Sequence, residues 1–367
     1  MTASAIWEAL KKYLGKLVFP FITLFFALFV GFFIISWLGS NPIVAYWHLI
    51  NGAFGSATKF GETLVYVSPL ILTGLSIAVA FRCGLFNIGA EGQYVMGMIA
   101  AAWIGAAFTN LPAWIHIPLT MLSGVLAGCI WGGIPGFFKA KYGAHEVITT
   151  IMMNYMALHF TGYLVNHPLI APPGTSPVTR TISESAQLTR FLPPSRVNTG
   201  IFVALFCILL IYLLLWKTKW GFEIRAVGLN NEASRYAGIS VTKNMVLAMA
   251  ISGGLAGLAG ALQIQGIQYR FNDLFGFPGY GFDGIAVALL GNNHPVGVLF
   301  GALLFGAMNS GALQMQSVAG IPKDLIGVIQ ALIIFFVSAD YALKKFHLPK
   351  IGHRTKTAAP ATTGKGV

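Results

Sequence analysis

The chain alternates long apolar runs with short polar breaks, and most runs have the length of a membrane helix. They fall near 17–38, 62–81, 84–107, 112–138, 146–166, 198–216, 244–266, 281–290, 295–313 and 323–341. Crossing a bilayer takes roughly 20 apolar residues of helix. The pattern therefore predicts an all-α polytopic membrane protein with about ten transmembrane helices. Lys11, Lys12 and Lys16 precede the first run, as in a signal peptide. That run is about 22 residues long and has no small-x-small cleavage site, so it reads as a retained helix.

Two runs are broken. RCGLFNIGAEGQYVMG, Arg82 to Gly97, is interrupted by Gly84, Gly89, Gly92 and Gly97. FGFPGYGFDGIAVALLGNNHPVG, Phe275 to Gly297, surrounds Asp283 with Pro278 and several glycines. The apolar core at 281–290 makes about 15 Å of helix, against a hydrocarbon thickness of about 30 Å. Irregular backbone must cross the rest, and it is tolerated only where protein or a water-filled cavity satisfies it. Two interrupted helices of opposite direction predict inverted repeats around a transport path, about 62–166 and 244–341.

Positive charge sets an orientation. With the N-terminus inside, Lys11, Lys12, Lys16, Arg82, Lys139 and Lys141 are cytoplasmic, joined by five basic residues from 217–243 and six from the C-terminal tail. Only Lys59, Arg180, Arg190, Arg196, Arg270 and Lys323 fall outside, so the expectation is N-in, C-in. Residues 1–350 then form one transmembrane domain, with 167–197 as an external loop and 351–367 as a disordered cytoplasmic tail. The external loop is either a docking point for a binding protein or a plain connection.

Composition agrees: 56% of residues are hydrophobic, 9% are charged, and mean hydropathy is +0.73. The net charge of +12 follows from topology and needs no nucleic acid. Cys83, Cys129 and Cys207 sit at unrelated spacings in or beside apolar runs, which excludes a disulfide framework or metal motif. GxxxxGK followed by Ser or Thr is absent, as are HExxH, GxSxG and paired CxxC. The chain reads as a transport subunit, not an enzyme, with no cofactor of its own.

Candidate chemistry falls in three places. Asn87, Glu91, Gln93, Asn154 and Asp283 are polar groups at membrane depth and form a candidate substrate path. Asn87 and Glu91, four apart, would share a helix face, with Gln93 turned elsewhere. These groups either face a polar solute or cap loose ends of the broken helices. Phe86, Tyr94, Tyr155 and Tyr269 are available to stack on a base. Second, Gly124, Gly128, Gly132 and Gly136 line one helix face and let another backbone approach; packing within the chain is favoured over a dimer contact. Third, the charged island 217–243 predicts a short helix near 231–238, capped by Asn230 or Asn231. Glu232 lies in its first turn and Gly238 ends it, with Ala233 and Ala237 as a smooth face for a partner.

The island segment AVGLNNEASRYAGISV, which includes Gly228, resembles the coupling loop of ABC-importer permeases of the branched-chain amino acid, ribose and nucleoside type. GLFNIGAEGQ and HEVITTIMMNY resemble more narrowly the nucleoside permeases that work with a basic-membrane-protein type lipoprotein, and GYGFDGIAVALLGNNHPVG fits the same family's second half. Together these motifs cover most of residues 60–340. The resemblance implies a type II-like permease subunit in a bacterial plasma membrane, importing nucleosides. It implies a cytosolic ATPase using ATP and Mg, an external binding lipoprotein, and a second, shorter permease completing a heterodimer. A sugar or branched-chain amino acid permease is the alternative, and a proton-driven transporter working through Glu91 and Asp283 is the more distant one.

Overall fold

The computed structural model describes residues 25–345, with side chains described to Phe336. The expected tail 351–367 and the start of the first run lie outside the described residues. Every regular element among the described residues is helical. In chain order they are α1 (Phe25–Trp37), α2 (Pro42–Phe54), α3 (Ala57–Arg82), α4 (Ala90–Ala107), α5 (Ala113–Tyr142), α6 (Glu146–Asn166) and α7 (Gly200–Lys217). Then come α8 (Lys219–Leu229), α9 (Asn231–Tyr236), α10 (Val241–Gln263), α11 (Tyr280–Leu290), α12 (Pro295–Ala319) and α13 (Asp324–Lys345). A π-helical turn, Ile264–Gln268, extends α10.

Five of these are long and apolar enough to cross a membrane: α3, α5, α7, α10 with its π turn, and α12. Two helices are not in the pattern reading, α8 in the charged island and α2. Residues 39–61, which lie between the first two predicted runs, contain α2, which Asn41 caps through its side-chain oxygen from the amides of Ile43 and Val44. Asn followed by Pro at the first helical position was the available signal. Gly52 of α2 lies against Gly311 of α12, so the helix packs backbone to backbone.

α3 and α10 are buried along most of their length, whereas α5 and α7 turn Leu122, Ile130, Phe202 and Leu209 outward. The glycines of α5 explain its position. A Cβ at Gly128 would strike the Gly253 carbonyl and come 2.9 Å from Gly257 Cα on α10. One at Gly132 would come 2.7 Å from the Met249 carbonyl, one at Gly124 2.7 Å from Ala261 Cβ, and one at Gly136 2.7 Å from Met249 Cβ. The stripe therefore faces α10 of the same chain. Small residues bring two backbones into contact and gain dispersion where apolar burial offers no driving force.

The molecule has two distinct ends. One carries α8 and α9. The other carries residues 167–199, where Ser183 bonds Gly105 in the last turn of α4 and Phe108 just after it, and Arg196 bonds Glu62 at the start of α3 through a 2.8 Å ion pair. Apart from the 3-10 turn Glu184–Ala186, that segment has no helix.

Candidate functional site

The interrupted stretches meet inside the protein, N-terminus to N-terminus. After α3 ends at Arg82, residues 83–89 run irregularly and α4 begins only at Ala90. After α10, residues 269–279 do the same, and α11 is just 11 residues long. Gly281 touches the backbone of Glu91; its own Cα hydrogen is all that fits there.

A helix start leaves amides without acceptors and a partial positive charge. At α11 the N-cap position is Gly279, in the left-handed region at φ 94°, which has no side chain to cap with. Glu91 supplies the missing acceptor from another helix. Its fully buried carboxylate accepts from Gly279 N at 2.6 Å, Gly281 N at 2.5 Å and Phe282 N at 3.3 Å. Asn154 of α6 does the equivalent for α4. Its Oδ1 accepts from Gly92 N at 2.8 Å while its Nδ2 donates to Ile88 O at 3.0 Å.

Asn87 does not lie on a helix with Glu91, as the four-residue spacing predicted; it precedes the helix, in the irregular stretch. Its partner is Gln93, and the two amides exchange bonds of 2.9 and 3.1 Å. Asn87 Oδ1 also takes the Gly89 amide, and Nδ2 donates to Ser252 Oγ on α10, which in turn donates to Ser76 O on α3. The glycine-rich sequence breaks the helix before Ala90, so helical spacing fails there. Asn87, Glu91, Gln93 and Asn154 are all buried; Asn87, Glu91 and Asn154 bind backbone at the broken helices, and Gln93 binds Asn87.

Asp283 differs. It is only half-buried on α11, and it accepts from Asn309 Nδ2 of α12 at 3.4 Å. Asn309 Oδ1 accepts in turn from Gln330 Nε2 of α13 at 2.9 Å. Asn309, Gln330, Ser76 and Ser252 escaped the sequence reading, because single polar residues in apolar runs show their partners only once the helices pack. Among the four candidate stacking rings, Tyr94 is buried, Tyr269 lies under Arg190, and Phe86 sits edge-on to Phe81. Tyr155 alone of these presents a largely open ring, 50% exposed.

At the α8–α9 end, the island is more helical than expected, since α8 accompanies the short helix. Asn230 caps α9 from Ala233 N at 3.0 Å, Glu232 lies in its first turn, and Gly238 follows at φ 79°. Asn231, Glu232, Ala233, Ala237 and Gly238 are all exposed. Leu229 and Tyr236 beside them are 88% and 93% exposed, an apolar pair at a polar end. Gly228 is different in kind: it presses on the Arg82 carbonyl and Cys83, with Gly84 facing it. Arg82 itself donates from Nε to Asn293 O at 2.8 Å and from Nη2 to Asn292 O at 3.2 Å. The end of α3, the turn after α11 and the end of α8 are thus one knot.

A protein whose described residues form only helices as regular elements, apolar on its flanks, with two interrupted helices capped across each other in its interior, has the build of a membrane permease. The chain belongs to the family described as branched-chain amino acid transport system / permease component, which residues 60–338 match. It is 45% identical over 339 residues to the guanosine ABC transporter permease protein NupP of Bacillus subtilis, covering 91% of this chain and 96% of that one. It is 39% identical to the nucleoside ABC transporter permease protein NupB of Lactococcus lactis, covering 96% and 98%. The glucose ABC transporter permease protein TsgB13 of Haloferax volcanii is 34% identical, covering 95% and 93%. The chain is a multi-pass transport subunit of the bacterial plasma membrane.

Proposed function

We propose that this permease imports nucleosides as the membrane-spanning subunit of an ATP-binding cassette importer. The observation that carries the reading is full-length similarity to two permeases named for guanosine and nucleosides. The fold adds a path for force. A cytosolic ATPase, using ATP and Mg, docks on α9 with Leu229 and Tyr236 as apolar anchors; exposed apolar groups at a polar end fit a protein partner. Motion of α9 passes through Gly228 to the knot at Arg82 and so to both interrupted helices. The N-terminus and C-terminus lie inside, the two repeats are inverted, an external lipoprotein delivers the solute, and a second permease completes a heterodimer. Asn87, Glu91, Gln93 and Asn154 hold the joint, and Asp283 faces the path.

Ala237→Arg tests the coupling. Its site is exposed, so membrane insertion and protein level stay unchanged. Uptake of labelled guanosine falls at least about tenfold, the effect of roughly 1.4 kcal/mol lost from docking. Normal uptake by the inserted variant would remove α9 from the coupling role. A sugar permease is the second reading, favoured by the glucose-named relative. Competition decides between them: excess unlabelled inosine suppresses guanosine uptake, and excess glucose leaves it intact.

A further inference from the structure

α6 turns a mixed face outward, with Met152, Met156 and Phe160 beside two tyrosines and a histidine. Tyr155, His159 and Tyr163, spaced by four, are all exposed, and His159 lies well inside a 21-residue helix. An imidazole on the helix of a permease is better placed against water or another protein surface than against hydrocarbon. Beside this face stand Phe277 and Phe282 from the α11 interruption. The Tyr155 and Phe277 rings meet edge to face at 5.3 Å, and the Phe277 and Phe282 rings do so at 5.7 Å. The backbone holds the cluster still, because the Phe282 amide is bound by Glu91 and Asn154, next to Tyr155, caps α4. Phe282 remains partly open, and Tyr155 half open.

We infer that Tyr155, Phe277 and Phe282 form a stacking station for the planar base of the transported solute, with His159 one turn along as a hydrogen-bonding group. The inference rests on the nucleoside reading and deepens it. Three features favour a heteroaromatic base. Aromatic faces bind any base by its π surface. An imidazole supplies the edge contact that a purely apolar partner would leave unused. The cluster also sits where two helices break, the place where discontinuous helices bind cargo.

The test uses the complete importer, purified with its partner subunits, and 8-azidoguanosine as photoprobe. Labelling is expected in the peptides holding Tyr155 or Phe277–Phe282, and excess guanosine removes it. In parallel, Tyr155→Ala and Phe282→Ala lower the maximal guanosine import rate about tenfold, in line with the cost of losing one base–aromatic stack. ATP hydrolysis by the complex continues within about twofold, since no backbone bond of the joint involves these side chains, and Tyr155→Phe restores import. Phe202→Ala, on the outward face of α7, serves as control and keeps the wild-type rate. Label confined to other peptides, or unchanged import by both alanine variants, overturns the station while leaving the nucleoside reading intact. Failure of the wild-type importer to take up guanosine overturns both.

Discussion

Glu91→Ala abolishes import and lowers the thermal unfolding temperature of the detergent-solubilised protein by many degrees. The substitution strips the acceptor from Gly279, Gly281 and Phe282 at once. A buried amide left without a partner costs about 1–3 kcal/mol; that of Gly281 is buried and those of Gly279 and Phe282 are part-buried. Against a total stability of about 5–15 kcal/mol for a typical protein, that loss is severe. Glu91→Gln separates charge from geometry. One glutamine oxygen placed toward Gly281 and Phe282 keeps two of the three bonds, but the amide then opposes the Gly279 N–H. The expected order is wild type, then Gln, then Ala, in both unfolding temperature and import. An unfolding temperature for Glu91→Ala equal to that of wild type would show that α11 is held by something else.

The second large effect comes from packing. Gly128→Leu prevents α5 from seating on α10, because even the first carbon of the new side chain overlaps the Gly253 carbonyl. Overpacking a well-filled core costs about 1–3 kcal/mol, and here both neighbours are backbone and cannot turn aside. The variant is expected to accumulate at a small fraction of the wild-type level in membranes. Gly133→Ala is the matched control on the same helix. Its new carbon meets only Ala250 Cβ at 4.0 Å, so level and import are preserved. It gains up to about 1 kcal/mol from the better helix former. Equal behaviour of the two variants, read by immunoblot of isolated membranes, would deny that the stripe sets the α5–α10 distance.

Much of the architecture was legible in the chain because hydrocarbon imposes long apolar runs. Breaks in those runs at 82–97 and 275–297 announced the interrupted helices. Gly124, Gly128, Gly132 and Gly136 announced a close backbone contact, though not its partner. The Asn230 cap and Gly238 stop were readable from local chemistry alone. Long-range pairing was not. Glu91 is matched to amides 188 and more residues away, and a donor that every residue possesses leaves no mark in sequence. Asn87 misled for a related reason: four-residue spacing means a shared face only where a helix exists, and the glycines had already ended it. α2 was overlooked because a 13-residue helix lying against α12 falls short of a membrane span.

Arg82 closes α3, grips the turn that ends α11 and receives α8 through Gly228. Levers joined at one pin swing together. Displacing any one of the three segments therefore strains its contacts with the other two.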